Sequence, residues 1–313
     1  MKKTFILATA VIIALASCAK SEVVYTDAPQ EIAFKQITGV MTKAEQIGTE
    51  LNGSLGAFAV VHEETDLYFT NKEFTMQNVG GVNYWKGVTT QFWPLDDNLG
   101  FVVYAPYAIE STVGGSNYPS YDPAGKVLAI SADNSTATSI NDQTDYLYGA
   151  NYYDCGGLGY DKTTSSVPVV LKHAMAKVTI SFTGANVTIV SAQIDSPTLA
   201  GTYTVDYDPS VAVDWTPASA ALTPLTFATL AYTGLTATAA AESFLVVPET
   251  KSDLSFTYRI AGSETDLSYT IPVTSNWLHG KHYVYNVKID PKEIMFTTEV
   301  SGWGDSIEDT KEI

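Results

Sequence analysis

Hydrophobic and polar positions alternate with a period of two along the best-patterned parts of this chain. Residues 177–182 (KVTISF) place Val178, Ile180 and Phe182 on one face, and residues 282–289 (HYVYNVKI) do the same with Tyr283, Tyr285, Val287 and Ile289. Residues 294–300 (IMFTTEV) set Ile294, Phe296, Thr298 and Val300 on one side. Successive side chains of an extended chain point to opposite faces, so each run predicts a half-buried strand. Turn clusters separate such runs at Asn52-Gly53-Ser54, Gly80-Gly81, Gly114-Gly115-Ser116-Asn117, Gly156-Gly157 and Ala261-Gly262-Ser263. Strands punctuated this often predict an all-β class built from antiparallel sandwiches. Residues 216–243 are rich in alanine, yet Thr223-Pro224 and Thr233-Gly234 interrupt the run, so strands and loops are expected there too. A long loop rich in Gly, Ser, Asn and Pro is expected over 110–144. The polar stretch 163–166, followed by a strong strand series, sets the expected boundary: one domain over 31–166 and a second over 167–313.

The first residues read as an address. Lys2 and Lys3 form a basic start, and residues 5–16 (FILATAVIIALA) are an uncharged apolar run. A bilayer span needs about 20 residues, so a signal peptide over 1–17 is the better reading. Leu15-Ala16-Ser17-Cys18 follows at once and resembles a bacterial lipobox, in which Cys18 is acylated and becomes the mature N-terminus. The other reading is a plain secretory signal with an incidental cysteine. Residues 18–30 then make a short lipidated tether. With Cys18 acylated, Cys155 lacks a partner and no intramolecular disulfide is expected; it reads as a small residue in a loop or at a strand end.

Composition narrows the function. The 313 residues carry a formal net charge of −17, which removal of residues 1–17 makes more negative by two lysines. A nucleic-acid partner is excluded, because phosphate binding needs a basic face. Arg259 is the sole arginine, so bidentate phosphate clamps are missing as well. The four histidines, His62, His173, His279 and His282, form no zinc spacing; His279 and His282 flank Gly280 at an expected turn. Nucleophile elbows, P-loops and dinucleotide fingerprints are missing. Asp96-Asp97-Asn98 lacks the alternation of a calcium loop and reads as a solvated turn. No metal, cofactor or catalytic residue is therefore assigned. Carboxylates are plentiful enough for a glycosidase-type acid pair, whose separation is not readable from sequence. Trp85, Trp93 and nearby tyrosines such as Tyr107 could stack on sugars, but core packing of aromatics in a sandwich is the favoured reading.

Several segments, taken in order, resemble the fimbrillin family of Bacteroidales, the Mfa-like type V pilins. They are Ile32-Ala33-Phe34, Thr42-Lys43-Ala44, LGAFAV at 55–60, Tyr84-Trp85, Phe92-Trp93-Pro94-Leu95 and LGFVVYAP at 99–106. The series continues with DYLYGA at 145–150, LKHAMAKVTI at 171–180, FLVVP at 244–248, GKHYVYNVKI at 280–289 and VSGW at 300–303. Each piece is weak alone; the ordered set, reaching from the lipobox to the C-terminus, is specific.

The resemblance implies two tandem transthyretin-like β-sandwiches exported as an outer-membrane lipoprotein. It also implies a non-enzymatic cell-surface pilus subunit whose partners are other pilin subunits, with a host or bacterial surface ligand open. In the family a protease removes an N-terminal strand after a basic residue, and a strand from the next subunit fills the groove. Here the removed strand would carry Ile32 and Phe34, and the cut would fall between Lys43 and Ala44. The family's commoner residue at the cut is arginine, so either a lysine-accepting protease acts or the strand is kept, as would suit a lipid-tethered anchor or a terminal subunit rather than a stalk subunit. The candidate donor is the C-terminal run with Ile294, Phe296, Thr298 and Val300. A surface glycan-binding lipoprotein is the alternative function. Asp305-Ser306-Ile307 resembles a short O-glycosylation signal.

Overall fold

The computed structural model describes residues 29–36, 53–61, 64–113, 116–138, 140–150, 159–184, 186–208, 210–218, 224–226, 240–290 and 293–303. Their chain is mostly extended, and helix among them is confined to one 3₁₀ turn, Ile140–Asp142. None of their helices is long and apolar enough to cross a membrane. The first strands are β1 (Ala33–Gln36), β2 (Ser54–Val61), β3 (Leu67–Val79), β4 (Val82–Gly87), β5 (Leu99–Ala105), β6 (Ser111–Val113) and β7 (Ser116–Tyr118). Next come β8 (Ser120–Asp122), β9 (Val127–Asp133), β10 (Leu147–Gly149), β11 (Val167–Val169), β12 (Leu171–His173), β13 (Ala176–Gly184), β14 (Val187–Ile194) and β15 (Ala200–Asp206). The series ends with β16 (Ala212–Pro217), β17 (Leu225–Thr226), β18 (Ala240–Val246), β19 (Leu254–Ile260), β20 (Leu267–Ile271), β21 (Lys281–Asp290) and β22 (Glu293–Gly302).

An eight-stranded sheet runs in the order β11-β1-β4-β3-β2-β5-β10-β12. Its two outermost strands, β11 and β12, are separated in sequence by Val170 alone. The sheet must therefore curl until its edges approach, and the Ala150 N–H donates to the Val170 carbonyl at 2.7 Å where the chain crosses over. Inside the curl Phe34, Phe74, Trp85, Phe101, Leu147, Val167 and Leu171 form one buried core. Three glycines shape this sheet. Gly80 and Gly81, with φ of 62° and 85°, close the β3–β4 hairpin through the left-handed backbone that such a turn demands. Gly56 makes room for the Tyr104 ring, since a Cβ there would lie 2.1 Å from its carbons.

Two four-stranded sheets, β18-β13-β21-β22 and β17-β14-β19-β20, enclose a second core that includes Val178, Ile180, Phe182, Ile189, Phe256, Tyr285 and Val287. The alternating runs form strands here, but β13 is buried on both faces rather than half-buried, since Lys177, Thr179 and Ser181 are covered along with Val178, Ile180 and Phe182. The Phe182 and Phe256 rings meet edge-on with centroids 5.1 Å apart. Most ladders are antiparallel, but β1 with β11 and β13 with β21 pair in parallel.

The expected 110–144 loop needs correcting. It contains β9, where Leu128, Ile130 and Ala132 alternate inward, and β9 joins the sheet β16-β15-β9-β8. The alternation was present but framed by small polar residues. This sheet covers the outer face of β2 and β5, giving a third core of Phe58, Val60, Val102, Leu128, Ile130, Tyr203 and Val205. Sheets also straddle the expected 166/167 division: β11 and β12 complete the eight-stranded sheet, and β15 pairs with β9 in the register Tyr203↔Ile130. Buried polar side chains fasten the junction. The Tyr207 hydroxyl donates to the Gly149 carbonyl at 2.9 Å, and the Trp215 indole to the Ala174 carbonyl at 2.9 Å. Gln143 bonds both backbone groups of Leu245, donating at 2.7 Å and accepting at 2.6 Å.

Candidate functional site

The site most relevant to assembly is the seat of β1, a short strand held on both sides. Phe34 pairs with Trp85 of β4 in an antiparallel ladder and with Val167 of β11 in a parallel one. The ladder extends towards the N-terminus, where the Ile32 N–H donates to Gln91 and the Trp93 N–H to Gln30, at 2.8 and 2.9 Å. Ile32 and Phe34, both 0% exposed, point into the core of the curl, as their spacing predicts. The Phe34 ring stands edge-on to Phe74 and Phe101, with centroids 4.7 and 5.3 Å away. Outside, Lys86 of β4 reaches Glu31 at 2.7 Å, a half-exposed ion pair worth under about 1 kcal/mol. The seat is thus an apolar site with two backbone ladders. Cys18, Lys43, Ala44, Cys155 and His62 lie outside the described residues.

The candidate donor strand, β22, lies at the edge of its sheet and pairs along its length with β21, from Lys281↔Gly302 to Asp290↔Glu293. Directly paired residues share a face, so Ile294, Phe296, Thr298 and Val300 lie on the core side with Ile289, Val287, Tyr285 and Tyr283. Ile294 and Val300 pack against the second core, whereas Phe296 remains 38% exposed. Beyond the strand, Trp303 is buried with its ring stacked on His173, centroids 3.7 Å apart and planes 7° from parallel. His173 is held in turn by Asp145, Nδ1 to Oδ2 at 2.8 Å. This cluster was not anticipated, because its members are far apart in sequence and only the fold joins them.

The chemistry-bearing side chains do not converge. His282 on β21 hydrogen-bonds Thr179, which contacts Ser243 at 2.6 Å; burial, aided by Lys177, holds the His282 imidazole down at about 4. Burial also lowers His279. Among the described residues no group of three or more His, Cys, Asp or Glu could hold a metal ion. A shallow cavity of about 320 Å³ lies between Asp96, Asp97, Asn98 and Asp161, with Lys162 bonded to the Leu95 carbonyl. The aromatics pack in the core, the favoured reading, and do not form a sugar platform: Trp85 and Trp93 are 1% and 6% exposed, packed within the curled sheet, and Tyr107 packs half-buried against the third core. Their indoles serve the fold.

The comparisons with known proteins agree with this architecture. A fimbrial protein from Bacteroides vulgatus superposes with a TM-score of 0.58 at 15% identity, covering 88% of this chain and 99% of that one. A candidate cell adhesion protein from Bacteroides uniformis gives 0.55 at 18% identity over 87% and 98%. The tip fimbrial protein Mfa3 from Porphyromonas gingivalis, truncated at its C-terminus, gives 0.50 at 11% identity over 88% and 100%. At such identities the likeness establishes the fold. No curated protein sequence matches the chain. The family model described as fimbrillin-like matches residues 42–303, most of the sequence, and so the chain belongs to the fimbrillin-like family: it is a structural pilus subunit of the cell surface, not an enzyme.

Proposed function

We propose that this pilin is made as a lipoprotein precursor acylated at Cys18 and carried to the outer membrane. There it assembles by donor-strand exchange after cleavage between Lys43 and Ala44 removes the strand bearing Ile32 and Phe34. The reading includes two tandem transthyretin-like sandwich domains, with β11 and β12 counted in the first. The observation that carries it is the seat of β1. Withdrawing that strand unpairs both β4 and β11 and opens the apolar site that Ile32 and Phe34 fill. An extended strand from another subunit meets both needs at once, donating main-chain hydrogen bonds and alternate apolar side chains. The run Ile294-Met295-Phe296 suits the donor role, since it repeats the spacing of Ile32-Ala33-Phe34.

Intact mass and N-terminal sequencing of protein sheared from cells test the proposal, together with a Lys43→Ala variant. An N-terminus at Ala44 and a ladder of oligomers that Lys43→Ala abolishes are the expected results. Monomer alone after cleavage at Lys43 overturns strand exchange. A lipidated N-terminus at Cys18 with the strand kept removes the cleavage step and makes the chain a membrane-tethered anchor.

A further inference from the structure

β22 is weakly held by its own side chains. Among the described residues it is an edge strand with a single neighbour; Met295 and Phe296 are 42% and 38% exposed, and Thr297 and Glu299 face solvent. Ile294 and Val300 are only partly covered. The exception stands just past the last ladder pair. Trp303 is 8% exposed and joins the third core, beside Ala174, Met175, Leu245 and Val247. Its ring lies flat on His173 of β12, a strand of the eight-stranded sheet. His173 is 3% exposed, and its orientation is fixed by the Asp145 carboxylate, whose side chain is 6% exposed. The backbone repeats the grip. The Trp303 N–H donates to the Gly280 carbonyl at 2.7 Å, and the Gly280 N–H donates to the Met175 carbonyl at 2.9 Å. Gly280, at φ 63°, takes the left-handed turn that allows both bonds.

We propose that Trp303 is a latch: its insertion against His173 and Asp145 holds the whole of β22 in its hairpin and binds the C-terminal strand to the eight-stranded sheet. An edge ladder without a buried anchor opens by fraying from the end away from its hairpin turn, and that end of β22 is the one that Trp303 pins. Lifting one side chain therefore releases the pairs Lys281↔Gly302 to Tyr283↔Val300 first and the rest in sequence. If β22 is the donor strand, a consequence that rests on the assembly reading above, the latch withholds it until a partner subunit competes for it.

Hydrogen exchange on the full-length monomeric chain tests the latch without polymerisation, so its failure is separate from any failure of strand exchange. Trp303→Ala should speed amide exchange over residues 294–302 by about tenfold or more while β13 and β19 keep their protection. His173→Ala should act in the same direction, and the double variant should not exceed Trp303→Ala, since the stacking contact is already lost in that single variant. Trp303→Phe, which keeps a ring on His173, should stay near wild type. Should Trp303→Ala fail to fold, Asp145→Asn keeps the shape while weakening the hold on His173, and it too should raise exchange in β22 selectively. Unchanged exchange in β22, a uniform rise throughout the molecule, or additive effects of the two alanine substitutions would each overturn the proposal.

Discussion

Replacing Phe34 by alanine probes the seat of β1 directly. The side chain is fully buried, between Phe74 at 4.7 Å and Phe101 at 5.3 Å, in a core closed by the curl of the sheet. Truncating a buried phenylalanine costs about 3–5 kcal/mol, the sum of lost transfer energy and the cavity left behind. The two edge-on ring contacts, worth about 0.5–1.5 kcal/mol each, are included in that figure. β1 has few other anchors: Ile32, its ladders, and the half-exposed Lys86–Glu31 pair. Phe34→Ala should therefore lower the urea midpoint by about 1–2.5 M, taking a slope of about 2–3 kcal/mol/M. Trp85 and Trp93 lie in the same core, so their fluorescence reports this unit. Trypsin adds a local readout. Lys35 has an exposed side chain, but its backbone is confined beside β11 in the register Lys35↔Pro168. Cleavage at Lys35 should be slow in the wild type and fast in Phe34→Ala, with Phe34→Leu close to wild type. A loss below about 1 kcal/mol with Lys35 still resistant would refute the reasoning, because the site would then close around alanine without needing the strand's ring.

Three further outcomes follow from the same structure. Gln143→Ala strips both buried backbone groups of Leu245 of their partner and should cost about 1–3 kcal/mol; a thermal midpoint equal to wild type would show that other groups or water satisfy them. His282 has its folded-state pKa depressed from 6.5 to about 4, so the folded state binds fewer protons than the unfolded one between those values. Its contribution is complete above pH 6.5 and is lost as pH falls towards about 4, and His282→Asn should flatten that part of a plot of denaturant midpoint against pH; coincident slopes would contradict it. Burial raises the Tyr148 and Tyr285 phenols from 10.0 to about 12, so their share of stability is present below pH 10.0 and lost as pH rises towards about 12. A spectrophotometric titration should show late tyrosinate absorbance appearing together with loss of circular dichroism, whereas complete ionisation near pH 10 with the fold intact would reject the assignment.

The sequence alone determined the class and the faces. Period-two alternation in β13, β21 and β22 fixed which side chains point inward, and Ile32 and Phe34 declared themselves an apolar pair in the same way. Both follow from the geometry of a single extended chain, which each run carries locally. Which strands become neighbours was decided only in the folded chain. Nothing local shows that β1 lies between β4 and β11, that β11 and β12 occupy opposite edges of one sheet, or that β9 finds β15. For Trp85 the pattern favoured core packing but could not say which core, and the curl of the eight-stranded sheet supplies it. The same holds for the grip of Trp303 on His173 and Asp145. Alternation specifies a face but not a partner, and the partner is chosen by closing sheets over apolar area contributed from distant parts of the chain.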